Sequence, residues 1–312
     1  MSIEMRSVFA KALGLLMDQD PRILVVDADL SVTNGTSVLR EKYDDRMFNV
    51  GIQEANMASF AAGLASYGFV PVITTFAAFA SRRIFDQVAI SIAYNGSNVK
   101  IVGTDPGITA ELNGGTHMSL EDAGLMRSLP GMVVFEPCDN TQLAAALPKL
   151  IAHEGPVYIR MGRKIYPDIF SPDYAFELGK ADRLRHGSDV TLFASGVVTK
   201  QALDASELLS VRGIEAEVIN IHTWKPIDAE AVIESVRKTG CAVTCENHNI
   251  INGLGSAVAE VTAESFPVPV LRIGAQDRFG EVGKIDYLFK ALCLTGEDIA
   301  AKAEEAIRIK HK

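Results

Sequence analysis

The first half of the chain contains four side chains of types that can share a proton, stack on a ring or donate a hydrogen bond. Glu54 follows a short apolar strand and lies in the first turn of an Ala-rich helix. A buried carboxyl with a raised pKa could share a proton there, although a helix N-terminus also stabilises an acid simply by its dipole. Phe76 and Phe79 follow another strand, and His117 follows a Gly-Gly pair. They could stack on a ring and donate a hydrogen bond, or be two core aromatics and a structural histidine.

Two arginines, Arg6 and Arg163, are candidates for binding an anion. The planar guanidinium group can contact two phosphate oxygens at once. Alternatively, Arg6 is a solvated helix residue and Arg163 pairs with a nearby acid. Gly253 and Gly255 before a helix give only a weak phosphate-loop signal, which we interpret as close helix–strand packing.

Alternating strands and helices must position these residues. The strands are predicted at 23–27, 48–50, 70–74, 99–103, 132–135 and 157–160. The helices are predicted at 4–17, 54–66, 79–94, 119–128 and 140–153, with loops at 29–36 and 104–116. This alternation predicts a mainly parallel sheet covered by helices on both faces.

A second α/β unit follows a segment that contains prolines and glycines. We interpret 166–187 as a linker between a domain of residues 1–165 and another of residues 188–312. Further strands are predicted at 190–194, 217–220, 242–246 and 270–273, and helices at 199–212, 229–239, 255–265, 284–291 and 295–311. The predicted fold is therefore two three-layer α/β/α domains with mainly parallel sheets.

Composition excludes several classes of partner. The chain has 312 residues, 48% of them hydrophobic, and a net charge of -9. The acidic balance argues against nucleic acid and anionic membranes as partners. Charged residues interrupt the N-terminal apolar residues, and no apolar run reaches the roughly 18 residues of a membrane span, so we expect a cytoplasmic protein.

The four cysteines do not form an evident disulfide or zinc site. Cys241 and Cys245 share one face of a predicted strand about 13 Å apart, which is too far for a disulfide. Cys138 and Cys293 are isolated in the sequence. We expect four reduced thiols, at least some of them buried.

Several segments, in order, resemble the transketolase family. The pyrimidine-binding domain of that family is matched by VVDADLSVTN (25–34), NVGIQEANM (49–57), ITTFAAF (73–79), DPGITAELNGGTH (105–117) and GPVYIRMGR (155–163). Residues 188–312 resemble its C-terminal domain, notably in INIHTWKPID and CENHNIINGLGSAVAE. The resemblance implies a thiamine-diphosphate enzyme that transfers a two-carbon ketol unit from a ketose or ketose phosphate to an aldose.

The resemblance also implies roles for individual residues. Glu54 would bond N1′ of the cofactor's aminopyrimidine, which favours the imino tautomer that removes the C2 proton. Phe76 and Phe79 would hold the pyrimidine ring, and Asp29 would lie at the cofactor edge of a subunit interface. His117 would face the donor carbonyl as a second catalytic residue.

Other matched positions imply contacts to the sugar. Arg6 and Arg163 would bind the sugar phosphate, with Thr33 as a minor contact. Three positions depart from the pentose-phosphate enzymes: Asp105 replaces a phosphate-site His, Asn113 replaces an Asp that meets a sugar hydroxyl, and Arg82 replaces an aromatic of the cofactor pocket.

These departures leave the donor open between a pentose phosphate and a branched or sulfonated sugar. We retain Arg82 as a cofactor candidate, and Asp105 and Asn113 as substrate candidates. An acid at position 105 would repel a phosphate unless Arg82 or Arg163 neutralises it.

The family's diphosphate-binding domain carries a Gly-Asp-Gly segment followed by an Asn, and this sequence has no Gly-Asp-Gly. The resemblance therefore implies the C-terminal subunit of a split transketolase. An N-terminal partner subunit would hold the diphosphate and Mg²⁺ or Ca²⁺, no metal ligand would come from this chain, and the assembly would be a two-fold heterotetramer.

Three alternatives remain open. The β subunit of a 2-oxo acid dehydrogenase is disfavoured by GIQEANM and GGTH, and a deoxyxylulose-phosphate synthase relative is normally a single chain. A non-catalytic binding or assembly subunit is the alternative of another class. The presence together of Glu54, Phe79 and His117 disfavours it.

Overall fold

Twelve strands form two sheets in this computed structural model, which describes residues 3–311. In chain order the strands are β1 Ile23–Asp27, β2 Met47–Asn49, β3 Val70–Phe76, β4 Lys100–Thr104, β5 Val133–Phe135, β6 Val157–Met161, β7 Asp182–Arg185, β8 Val190–Ala194, β9 Ala216–Asn220, β10 Thr223–Lys225, β11 Ala242–Asn249 and β12 Val270–Ala275.

Both sheets are mainly parallel. The seven-stranded sheet has the order β10-β5-β6-β4-β3-β1-β2, and the five-stranded sheet has the order β12-β11-β8-β9-β7. One edge strand of each sheet is antiparallel to its neighbour: β10 pairs with β5, and β7 pairs with β9. The predicted fold class, two α/β domains, is confirmed.

Helices cover the two faces of the first sheet, as the buried strands require. The longer helices of the chain are Met5–Gln19, Glu54–Ser66, Asn140–Ala152, Thr199–Val211, Ala229–Thr239, Leu254–Ser265, Ile285–Ala291 and Gly296–Lys310. Val25 and Val72 pack on the side of Met5–Gln19, whereas Val26 and Ile73 pack on the side of Glu54–Ser66. No helix within 3–311 is long and apolar enough to cross a bilayer.

The predicted helix 79–94 is wrong as a continuous element. Short helical segments occupy Ala77–Ala80, Arg82–Ile84 and Phe85–Gln87, and a π-helix covers Val88–Tyr94. The chain breaks at Ser81, whose backbone lies outside the helical region at φ -117° and ψ -92°. This break changes the direction in which the following two arginines point.

Three further predictions need correction. The loop 29–36 contains a helical turn at Ser31–Asn34, the loop 104–116 contains a 3₁₀ segment at Gly107–Asn113, and the predicted helix 119–128 is limited to Asp122–Arg127. Glu111 interrupts the 3₁₀ segment with φ 47° and ψ -118°.

Two strands lie where the sequence predicts none. The segment 166–187 is not simply a linker, because β7 forms an edge of the second sheet. β10 follows the second-sheet strand β9 but joins the first sheet, where Thr223 lies opposite Phe135. The C-terminal half of the chain therefore completes the N-terminal sheet.

Candidate active site

The candidate residues converge at the carboxyl edge of the first sheet, where open α/β sheets bind ligands. Register places the last residues of three neighbouring strands together: Phe76 of β3 pairs with Thr104 of β4, which pairs with Met161 of β6. Asp105 and Arg163 lie one and two residues beyond these ends. Parallel pairing thus brings distant segments to one place.

Glu54 is the first residue of its helix, and its side chain is only 3% exposed. Arg83 Nη1 donates a hydrogen bond to Glu54 Oε1 at 2.9 Å. The same guanidinium lies over the ring of Phe79, with Cζ 3.9 Å from the ring centroid. Arg83 was missed by sequence reasoning, and the adjacent pair Arg82–Arg83 was its only local signal.

Three rings form a cluster beside this carboxylate. The His117 ring centroid is 5.3 Å from that of Phe79 and 5.7 Å from that of Phe76. The two phenylalanine rings are 5.9 Å apart. These edge and tilted contacts fix the ring planes. His117 Nδ1 lies 2.9 Å from Thr116 Oγ1, so this contact orients the imidazole.

Arg163 and Asp105 form the second charged pair of the site. Asp105 is buried, accepts a hydrogen bond from the Arg163 backbone N–H at 3.0 Å, and forms an ion pair with its guanidinium. Burial raises the pKa of Asp105, and Arg163 partly opposes that rise. Arg163 also lies over Phe76, with Cζ 5.0 Å from the ring centroid.

Arg6 is joined to this pair through the backbone. Its N–H donates to the carbonyl of Arg163 at 3.2 Å. Its side chain donates to the carbonyl of Thr33 at 3.0 Å and pairs with Glu4 Oε2 at 2.7 Å. Thr33 is therefore near Arg6. Arg6 and Arg163 each already contact a carboxylate.

Two candidates contact or lie on the loop that carries His117. Arg82 donates to Glu121 Oε1 at 2.8 Å and to the carbonyl of Thr116 at 2.6 Å, so it holds the loop that carries His117. These two contacts occupy the Arg82 guanidinium in this structure, and its role in the cofactor pocket stays a prediction. Asn113 is exposed at the end of the 3₁₀ segment.

Asp29 follows β1 at a left-handed backbone position, φ 63°. It exchanges two 3.1 Å hydrogen bonds with Asn49 at the end of β2, and Asn49 Oδ1 also accepts from Gly51 N–H at 2.9 Å. This exposed pair therefore orders the turn that leads to Glu54.

A cavity of about 300 Å³ adjoins Asp105. Its charged lining consists of Glu4, Asp105, Glu111 and Lys164, and Lys164 pairs with Glu111. The lining contains more acids than bases, so it tolerates a single negative charge better than two.

The residues fit a flat heteroaromatic ligand. The Arg83 guanidinium is itself a flat N–H donor, and it satisfies Glu54 and the face of Phe79 together. Across the described part of the chain, no three His, Cys, Asp or Glu side chains could hold a metal ion together. The fold and site define a class of α/β protein with a buried acid and a cluster of rings at the carboxyl edge of a parallel sheet.

Comparison with known proteins identifies the family within that class. The model of the transketolase pyrimidine-binding domain matches residues 1–168, and that of the transketolase C-terminal domain matches residues 179–299. The chain belongs to the transketolase family, which uses thiamine diphosphate.

Individual relatives match over almost their whole length. The chain is 50% identical over 307 residues to the 6-deoxy-6-sulfo-D-fructose transketolase subunit SqwH of Clostridium sp. (strain MSTE9), covering 98% of this chain and 95% of that protein. It is 39% identical to a putative transketolase C-terminal section of Methanocaldococcus jannaschii, covering 97% and 96%.

A solved structure described as a split gene transketolase, inactive beta4 tetramer, has a TM-score of 0.91 and 43% identity, covering 99% of this chain and 100% of that one. The chain is therefore similar to enzyme subunits of the split transketolase type, as its sequence predicts.

Proposed function

We propose that this chain activates thiamine diphosphate in a two-subunit transketolase that transfers a two-carbon ketol unit from a ketose to an aldose. The observation that carries this proposal is the buried Glu54 carboxylate beside the ring cluster of Phe76, Phe79 and His117. When bound, the cofactor supplies a nucleophilic carbon and an electron sink.

The protein side chains have separate tasks in this proposal. Glu54 holds a proton at the ring nitrogen of the aminopyrimidine, and Phe76 and Phe79 hold that ring in reach. His117 donates a hydrogen bond to the ketose carbonyl oxygen as negative charge develops there. Asp29 and Asn49 order the turn before Glu54 at the edge that faces the partner.

A partner subunit supplies the diphosphate site and holds Mg²⁺ or Ca²⁺. The near-complete alignment with a split transketolase subunit supports this division of labour. We propose a two-fold heterotetramer, since closed two-fold symmetry is the commonest assembly. For the location of the chain we propose the cytoplasm, because its reducing conditions keep thiols free and the four cysteines are free here.

For the donor, we propose a ketose that carries a sulfonate. The relative SqwH is named for a 6-deoxy-6-sulfo-D-fructose donor. A sulfonate carries one negative charge, whereas a phosphate ester carries about 1.5 to 2 near neutral pH. Arg163 is already paired with Asp105, and Arg6 with Glu4, so the site compensates one charge more readily than two.

The first test is reconstitution with the Glu54→Gln variant. We expect ketol transfer only after mixing with the partner, and Glu54→Gln should lower kcat by about 10²–10⁴-fold because the amide cannot hold the proton. Steady-state assays with thiamine diphosphate and Mg²⁺ measure this. Glu260→Gln, which changes an exposed partner of Arg127, is the control.

Two results would contradict this function. Robust ketol transfer by the chain without its partner would exclude the split assembly. A Glu54→Gln complex that retained wild-type kcat would exclude the assigned role of that carboxyl.

The donor proposal is tested by Asp105→Asn. Asparagine tolerates the left-handed backbone at this position, φ 52°, and keeps a hydrogen-bond acceptor for the Arg163 N–H. Removing the charge should raise kcat/KM for fructose 6-phosphate relative to 6-deoxy-6-sulfofructose by about tenfold. An unchanged ratio of the two kcat/KM values would argue against charge selection by Asp105.

A further inference from the structure

Arg83 makes both contacts that the proposed cofactor ring would make. Its guanidinium is flat and cationic, it donates to Glu54 Oε1, and it lies 3.9 Å above the centre of Phe79. A protonated aminopyrimidine is also flat, donates to Glu54 and stacks on an aromatic face. The two groups are therefore chemically alike at this site.

The two groups cannot make these contacts at once. One face of Phe79 cannot carry both a guanidinium and a ring, because either group fills the space directly above it. Arg83 also occupies Glu54 Oε1, so the ring must either displace it there or use Oε2. The gain from the cofactor ring is reduced by the loss of the arginine contacts.

Arg83 is positioned to leave. Its side chain is 46% exposed, whereas that of Glu54 is 3% exposed. It lies in the short turn Arg82–Ile84 after the break at Ser81. Arg82 is held by Glu121 and the carbonyl of Thr116, so it does not take over the Glu54 contact.

We propose that Arg83 is a placeholder for the aminopyrimidine and thereby sets the affinity for the cofactor. In the cofactor-free subunit it compensates the buried carboxylate of Glu54, which would otherwise be costly. It withdraws toward solvent when the ring binds. This inference rests on the proposed function, and it adds a positioning residue whose removal strengthens cofactor binding.

The test is calorimetric titration of the complex with its partner subunit, using thiamine diphosphate in the presence of Mg²⁺. Arg83→Met keeps the length of the stem but removes the donor and the charge. We expect its Kd for thiamine diphosphate to fall by about fivefold, since a partly exposed ion pair and a cation–π contact no longer compete.

Pyrophosphate is the matched ligand control, because it lacks the ring. Its Kd should not change in Arg83→Met. The matched protein control is Arg212→Met: Arg212 is 45% exposed and pairs with Glu304 at 2.8 Å, on the second domain. Both Kd values should match the wild type in this control.

A Kd for thiamine diphosphate that is unchanged or higher in Arg83→Met would overturn the placeholder role. If the wild-type complex and both variants all failed to bind thiamine diphosphate, the proposed function would fail, and the inference with it. Should Arg83→Met not fold, Arg83→Lys replaces it, with an expected twofold fall in Kd because the flat donor is lost. An unchanged Kd in that variant overturns the inference equally.

Discussion

Burial of single ionisable side chains determines how the subunit responds to acid. His222 is buried, and its ring centroid lies 4.8 Å from that of Phe176 and 5.7 Å from that of Phe135. Burial lowers the pKa of His222 to about 4. In an unfolded chain the pKa of histidine is about 6.5. Protons therefore bind the unfolded chain first, and stability is lost as the pH falls from about 6.5 towards 4.

We expect His222→Phe to weaken this acid sensitivity. The ring packing is kept while the titrating group is removed, so the loss of unfolding free energy between pH 7 and pH 5 should shrink by about 1–2 kcal/mol. Urea unfolding at pH 7, 6 and 5 measures it. His311→Phe, at an exposed position, should leave the pH dependence unchanged. An unaltered pH dependence in His222→Phe would contradict the assignment.

At the scale of elements, one loop of the first domain depends on a strand of the second. The loop after β4 leads to His117, and Asn247 of β11 accepts from the N–H of Ile108 at 2.8 Å and donates to the carbonyl of Pro106 at 2.9 Å. Gly107, with φ 53°, packs so closely on Asn247 that a Cβ would lie 2.1 Å from its Oδ1. The loop conformation thus requires both residues.

Asn247→Ala should release this loop. Two buried backbone groups lose their partner, so the free energy of unfolding should fall by about 1–3 kcal/mol or more. The activity of the reconstituted complex should fall too, because the loop that leads to His117 loses one of its anchors. Chemical denaturation and kcat/KM measurements test this, with Asn95→Ala at an exposed position as the control. A fully active, equally stable variant would show that the loop keeps its conformation without Asn247.

At the scale of the whole molecule, a buried charge network of the first domain contacts the second domain through the backbone carbonyl of Asn247. Arg160 of β6 donates to Asp122 at 2.9 and 3.1 Å and to the carbonyl of Asn247 at 2.6 Å, and it pairs with Glu136. All three charged side chains are buried. Removing Arg160 leaves two buried carboxylates uncompensated and also removes the donor to the Asn247 carbonyl of the second domain.

Arg160→Met should lower the free energy of unfolding by about 3–5 kcal/mol, the usual cost of breaking a buried ion pair from one side. Arg160→Lys keeps the charge and should recover part of that loss. Denaturant titration of both variants measures it. A change below about 1 kcal/mol in Arg160→Met would mean that the domains associate independently of this network.

Much of the architecture could be predicted from the sequence. The bounds of β1 and of the helix Glu54–Ser66 match their predictions, because a short apolar run and an Ala-rich segment specify local backbone structure. The strands predicted at 70–74 and 157–160 end shortly before Phe76 and Arg163, and both residues lie at the carboxyl edge of the observed sheet.

Which side chains pair and which sheet a strand joins could not be predicted in the same way. Arg82 and Arg83 are equivalent in the sequence, and only the chain break at Ser81 directs Arg83 to Glu54. The strand β10 crosses to the first sheet because Trp224 and its neighbours find a buried edge there, which no local pattern encodes.

By itself, the sequence determined the order of ten of the twelve strands along the chain, the family and most of the candidate site residues, since periodicity and ordered motifs are local properties. The tertiary structure decided which charges pair. The pairs Glu54–Arg83, Asp105–Arg163 and Asp122–Arg160 each join residues that are far apart in the chain. Such contacts follow from packing of whole elements, and packing fixes distances that spacing along the chain does not.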